Sequence, residues 1–251
     1  MLRWLKVVPL ALAIVALGVV AISCNSGGNA LVRVVNAIPN NGANGATTVD
    51  VYVNGTKDYP NLAFGNAYPT PTNTGAQYLP VPSGSDTIQA YDYNETTGSI
   101  FGNGGITENL SASTQYTALL GGFLGGPPQV YLITDNNTAP TTGDINIRVI
   151  NGSATSTAYG GIDVAVYQSG IVNIPSPEIS GLGLGQASMQ SNLTFASEYA
   201  VQVFYHDIQA AQIPQYTFST VTGSVTTVVI FDQAGGNGGL SQFPLVMTDL
   251  N

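Results

Sequence analysis

Beyond residue 30 the apolar positions of this chain recur with a period of two. Val49, Val51 and Val53 share one face and Asp50, Tyr52 and Asn54 the other; Ile162, Val164 and Val166 repeat that phase against Asp163, Ala165 and Tyr167. Strict alternation is the mark of a strand with one buried face. Further strands are predicted at Asp86–Tyr93, Gln115–Gly121, Gln129–Thr134, Glu198–Asp207, Gln212–Ser219 and Ser224–Phe231, separated by clusters of Gly, Pro and Asn. No helical stripe exceeds one turn, which excludes parallel α/β architectures.

The pattern also repeats on a longer scale. LVRVVNA at 31–37 returns as NIRVING at 146–152, VDVYVNG at 49–55 as IDVAVYQSG at 162–170, and VYLITDNN at 130–137 as FPLVMTDLN at 243–251. Aligning Arg33 with Arg148, Asp50 with Asp163 and Asp135 with Asp249 gives one offset of 113 to 115 residues. The expected fold is therefore all-β: two tandem immunoglobulin-like β-sandwich domains, residues 31–135 and 145–251, joined by a polar linker at 136–144. Each module is long enough to bury its own core. A Pro- and Gly-containing linker predicts that few contacts cross between them.

The first 30 residues follow different rules. Arg3 and Lys6 precede an apolar run from Val7 to Ile22, broken only by Pro9 and Gly18 and ending in small residues. It is shorter than the roughly 20 residues a spanning helix needs and reads as a secretory signal over 1–23. Ala21-Ile22-Ser23-Cys24 resembles a bacterial lipobox, which would make Cys24, the only cysteine of the chain, the lipidated new N-terminus. An unpaired thiol is otherwise a liability in an oxidising compartment. Residues 24–30 read as a flexible tether. Asn25 after the cysteine, rather than aspartate, favours an outer-membrane or surface destination by the same resemblance.

Removing the signal leaves Arg33, Lys57 and Arg148 against fourteen acids, a net charge of −11. Such a chain repels nucleic acid and anionic surfaces, so nucleic acid is excluded as a partner. The sole tryptophan, Trp4, leaves with the signal.

VRVVNA at 32–37, VDVYVNG at 49–55, YLPVPSG at 78–84, TQYTALLGG at 114–122 and YLITDN at 131–136 together resemble the bacterial domain of unknown function 4397 family. The resemblance covers the first module and, more weakly, the second, where VPSG is not recognisable. It implies exported, often lipid-anchored immunoglobulin-like sandwiches, and it brings no catalytic residues to carry over.

The inventory of reactive groups argues against catalysis. His206 is the only histidine and Lys57 the only lysine after the signal, and no Gly-x-Ser-x-Gly elbow occurs. GLGLGQ at 181–186 has the wrong spacing for a dinucleotide loop and reads as a glycine-rich turn. Glu95, Glu108, Glu178 and Glu198 are scattered, with nothing to pair them across a cleft. No cofactor and no metal site is expected; TDNN at 134–137 offers oxygen ligands for calcium, but a self-satisfied turn is the simpler reading.

Two sets of residues remain. Tyr91 and Tyr93 share a strand face and, with Tyr131, Tyr159, Tyr167 and Tyr205, offer rings for stacking on sugars or anchoring a protein partner. Arg33 and Arg148 lie opposite in phase to the inward valines, as do Asp50 and Asp163, so the pairs Arg33–Asp50 and Arg148–Asp163 are predicted on the outer faces, with Asp135 and Asp249 as competing partners. The functional expectation is a non-catalytic, lipid-anchored envelope protein that binds an envelope protein or glycan. The alternatives are a structural envelope component and an accessory module of a hydrolase system.

Overall fold

The computed structural model describes residues 27–39, 47–71, 77–101, 104–123, 128–208, 210–235 and 239–249. The signal segment and Cys24 lie outside them. The first half contains β1 (Asn29–Asn36), β2 (Thr48–Val53), β3 (Thr56–Ala63), β4 (Ala67–Tyr68), β5 (Leu79–Pro82), β6 (Gly84–Asp92), β7 (Ile106–Leu110), β8 (Gln115–Gly121) and β9 (Gln129–Thr134). The second contains β10 (Asp144–Asn151), β11 (Ile162–Gln168), β12 (Ile179–Leu182), β13 (Ala187–Thr194), β14 (Glu198–Tyr205), β15 (Ala211–Ser219), β16 (Val225–Ile230) and β17 (Leu245–Asp249), with one 3-10 turn at Thr155–Tyr159.

These strands form four sheets, two per half. An outer sheet β3-β2-β6-β7 faces an inner sheet β4-β1-β8-β9, in which β5 also pairs with β1. The second half repeats the plan with outer β12-β11-β14-β15 and inner β13-β10-β16-β17. In both inner sheets the first strand runs parallel to the penultimate one, β1 to β8 and β10 to β16, placing Arg33 beside Thr117 and Arg148 beside Thr227.

Three hydrophobic layers hold the sheets together. Val32, Val34, Val49, Val51, Ile88 and Leu120 fill the first sandwich, and Ile147, Val149, Val164, Val203, Val228 and Ile230 the second. The third layer lies between the halves, where Val35, Leu119 and Ile133 of one inner sheet meet Ile150, Val229, Phe231 and Met247 of the other. The molecule is thus four sheets deep, outer-inner-inner-outer, and the expectation that few contacts cross the linker is corrected. Alternation identifies only which side chains leave a module's own core; both inner sheets are buried on their second face too. All six residues of β16 are buried, as are six of seven in β8, and strands covered on both sides read as near-continuous apolar runs.

The repeated polar residues hold this frame. Asn36, fully buried, donates from Nδ2 to the carbonyls of Thr47 and Leu62 at 3.0 Å each, lacing the inner sheet to the outer one. Asn151 does the same to Leu182 O at 2.7 Å. Asp50 and Asp163 each face a bulge in the neighbouring strand, where register slips between Val49 and Val51 and between Ile162 and Val164. The extra residues, Asn61 (φ 54°) and Gly181 (φ 63°), are left-handed, and their otherwise unpaired N–H groups donate to the carboxylates at 2.8 and 2.7 Å. The glycine-rich turn at 181–186 has a second role at Gly185, whose Cβ would sit 2.1 Å from the Tyr131 ring that packs on it from the other module.

Candidate functional site

The arginines meet neither predicted partner. Arg33 places Nη1 2.5 Å from Asp249 Oδ1 and Nη2 3.1 Å from Asp135 Oδ2. Arg148 places Nη2 2.6 Å from Asp249 Oδ2 and Nη1 3.5 Å from Asp135 Oδ1. The pairs Arg33–Asp50 and Arg148–Asp163 are corrected: both arginines point into the interface between inner sheets, whereas Asp50 and Asp163 belong to the outer sheets. Thr117 and Thr227 complete the cluster, each accepting from an arginine Nε and donating to the adjacent aspartate at 2.6 and 2.7 Å. Tyr78 OH donates to Asp135 at 2.8 Å, and its ring lies 4.8 Å beneath the Arg33 guanidinium. Burial alone would lower the Arg33 pKa, but the two facing carboxylates raise it, and all four charges are almost wholly enclosed.

This cluster is architecture, not a ligand site. Two guanidiniums meet two carboxylates, so no net charge remains for a cation or an anion. The TDNN stretch also makes internal contacts: Asp135 pairs with the arginines, Asn136 Oδ1 accepts from Thr138 N at 3.1 Å, and Asn137 Nδ2 donates to Tyr78 OH and Gln115, while Asp135 Oδ1 and Asn137 Oδ1 accept no hydrogen bond.

Accessible chemistry lies on the outer sheets, and register shows what they share. Asp50 stands opposite Tyr91 and Tyr52 opposite Gln89; in the second module Asp163 stands opposite Phe204 and Ala165 opposite Gln202. Each outer face therefore carries an aspartate, a glutamine and an aromatic ring at matching places. Beside each aspartate is a basic side chain: Lys57 Nζ lies 2.6 Å from Asp50, and His206 Nδ1 lies 2.8 Å from Asp163. Burial would raise both aspartates, yet the bulge N–H bonds and the neighbouring basic side chain hold them below the ordinary carboxylate value. The Asp163 hydrogen bond and charge raise His206.

The first face is open. Tyr91 meets Tyr52 edge to face at 5.0 Å, and Lys57 reaches over the Tyr52 ring. Tyr93, half exposed, lies in the turn after β6. The other tyrosines offered as surface rings do not serve: Tyr167 and Tyr205 are buried, Tyr159 stacks on Tyr205 at 4.5 Å, and Tyr131 packs between the modules. The second face is roofed. The segment between β11 and β12 brings Ile174 to Pro177 over Asp163, Gln202, Phe204 and His206, and together they line a half-open cleft of about 330 Å³. Period-two alternation placed Gln202, Phe204 and His206 on one face, but the roof comes from a proline-containing segment with no period to read.

Ser180 Oγ donates to Asp163 Oδ1 at 2.9 Å, the same oxygen that His206 Nδ1 approaches. Serine and imidazole thus converge on one carboxylate oxygen. Ser180 does not continue a relay from the far ring nitrogen.

These features define a class: a two-module all-β protein of four stacked sheets with a roofed polar-aromatic cleft on one outer face. Residues 30–165, more than half of the chain, match the family described as Domain of unknown function (DUF4397), and the chain belongs to that family. No curated protein matches it. Among solved structures, the family 41 carbohydrate-binding modules from streptococcal virulence factors, described as recognising α-glucan, are 14% identical with a TM-score of 0.30, covering 87% of this chain and 97% of theirs. The glycogen-degrading pneumococcal virulence factor SpuA is 10% identical with a TM-score of 0.30, covering 90% of this chain and 22% of its own. Likeness at this level says nothing about what this chain binds.

Proposed function

We propose that the protein is an exported, lipid-anchored envelope protein that binds a glycan without turning it over, through the cleft of the second module. The observation that carries this reading is the matched Asp–Gln–aromatic set on both outer faces, floored in the second by Gln202, Phe204 and His206 and roofed by Ile174 to Pro177. A flat ring beside an amide and an imidazole suits a sugar, whose C–H face packs on an aromatic and whose hydroxyls take directed hydrogen bonds. The non-catalytic reading is supported by the arrangement at Asp163, where the one histidine spends Nδ1 on the carboxylate that also holds Ser180. The lipid anchor rests on the sequence around Cys24.

Glycan-array screening of the chain from Asn25 onward tests the binding. Retention of one glycan class is expected, weakened at least tenfold by Phe204→Ala or Gln202→Ala and unchanged by Phe243→Ala. Failure to retain any glycan, or equal binding by the Phe204→Ala protein, overturns the reading.

A further inference from the structure

The exposed large apolar side chains are unevenly placed. Ile171, Val172, Phe195 and Val221 all stand in turns at one end of the second module, with Val172 94% exposed. Hydrogen bonds trace that end continuously. Phe195 N donates to Gly143 O, Thr220 N to Ser197 O and Ser169 N to Glu198 O, so the three turns carrying these side chains adjoin one another and the end of the linker.

The chain enters the fold at the same end. Ser113 N donates to Asn29 O, Asp135 N to Gln115 O, Asn137 Nδ2 to Gln115 Oε1 and Asn146 Nδ2 to Thr138 O, a line of contacts from the start of β1 through the linker to the start of β10. The repeat supplies an internal control. The equivalent turns of the first module present Asn54, Gly55, Ser83, Ser111 and Ser113, with no exposed large apolar residue among them. The apolar tips are thus no requirement of the turns; the second module alone carries them. Of the other exposed large apolar residues among the described residues, Phe243 and Tyr93 lie at the opposite end and Ile174 lines the cleft.

We propose that this end docks onto the bilayer that holds the lipidated N-terminus, with Ile171, Val172, Phe195 and Val221 dipping into the interface. The inference rests on the lipid-anchor reading of Cys24. Asn29 lies five residues beyond Cys24, and a fully extended chain gains at most about 3.6 Å per residue, so the leash spans no more than about 18 Å. On so short a leash the end where β1 begins stays against the membrane, and its contacts decide orientation. Scattered apolar surface residues are ordinary; four side chains gathered at the tethered end mark an interaction surface. The chain has few cations and a net acidic charge, so contact is apolar and insensitive to salt, unlike docking through a basic patch.

The absence of tryptophan after Trp4 gives a clean test. Single tryptophans replace Val172 or, as control, Phe243 in the full lipidated protein, reconstituted in phosphatidylcholine vesicles with brominated acyl chains. Trp at 172 is expected to shift to the blue and lose at least half its fluorescence to bromine, equally at low and high salt, while Trp at 243 keeps the spectrum of a water-exposed ring. A vesicle-bound protein with Trp at 172 unquenched overturns the docking and leaves the anchor standing. A protein that floats free of vesicles with no lipid mass on Cys24 removes the anchor, and the docking with it. A blue shift without vesicles that grows with protein concentration assigns the tips to a second copy and also overturns the proposal.

Discussion

The four charges between the inner sheets set the energetic stakes at the residue scale. Desolvating two arginines and two aspartates is costly, and the cluster is tolerable because every charge faces opposite charge and Thr117, Thr227 and Tyr78 add hydrogen bonds, with Asp135 Oδ1 left to the Arg148 charge at 3.5 Å. Replacing Asp249 with Ala leaves two buried guanidiniums sharing Asp135. The expected loss is about 3–5 kcal/mol, read as a lower urea midpoint. Replacing both arginines with Met and both aspartates with Leu removes charge and desolvation together, and should restore stability to near or above the parent value. If Asp249→Ala costs no more than Phe243→Ala, which trims an exposed ring, the cluster contributes little to holding the halves. The arginines were visible in the sequence as a repeat, and so were their true partners, Asp135 and Asp249. What alternation could not supply was the second covering layer, since a residue facing away from its own module looks exposed whether water or another sheet lies beyond it.

At the scale of elements the strands themselves were legible, because their pattern is local. The bulges were not: Asn61 and Gly181 take left-handed conformations that only register with β2 and β11 reveals. Nor was the roof of the cleft, for the segment from Ile171 to Pro177 has no period. The Asp163–His206 pair ties β11 to the turn after β14, and its pH dependence has a definite sign. His206 is raised above its unfolded value of about 6.5, first by its hydrogen bond to Asp163 and then by the carboxylate charges of Asp163 and Asp207. Its stabilising contribution is therefore complete below that value and lost as pH rises through the folded one. Asp163 is lowered, so its contribution is present above about 3.8 and lost as pH falls through the folded value. Urea midpoints between pH 5 and 9 should decline on the alkaline side in the parent protein and lose that component in His206→Gln. A parallel decline in both proteins would show that the pair contributes nothing to stability.

For the whole molecule the repeat predicted two modules and the structure joins them. Each inner sheet presents a face of buried Ile, Val, Leu, Phe and Met that only the other module covers. A protease site inserted into the linker at 136–144 should therefore yield two fragments that stay together in size exclusion and unfold in one transition. Residues 145–251 expressed alone should dimerise or aggregate through Ile150, Val229, Phe231 and Met247. Fragments that separate on cleavage and melt independently would contradict this arrangement.

The two inner faces carry Arg, Thr and Asp in the same order, so the contact between them is close to self-matching, like the interface of a twofold dimer. Complementarity of this kind does not distinguish a module's own partner from that of a neighbouring chain. The short linker makes the distinction, by keeping the two halves of one molecule at a mutual concentration on the order of millimolar. Its length, rather than any side chain at the contact, would therefore set the balance between closed monomers and any pairs formed by exchange of halves.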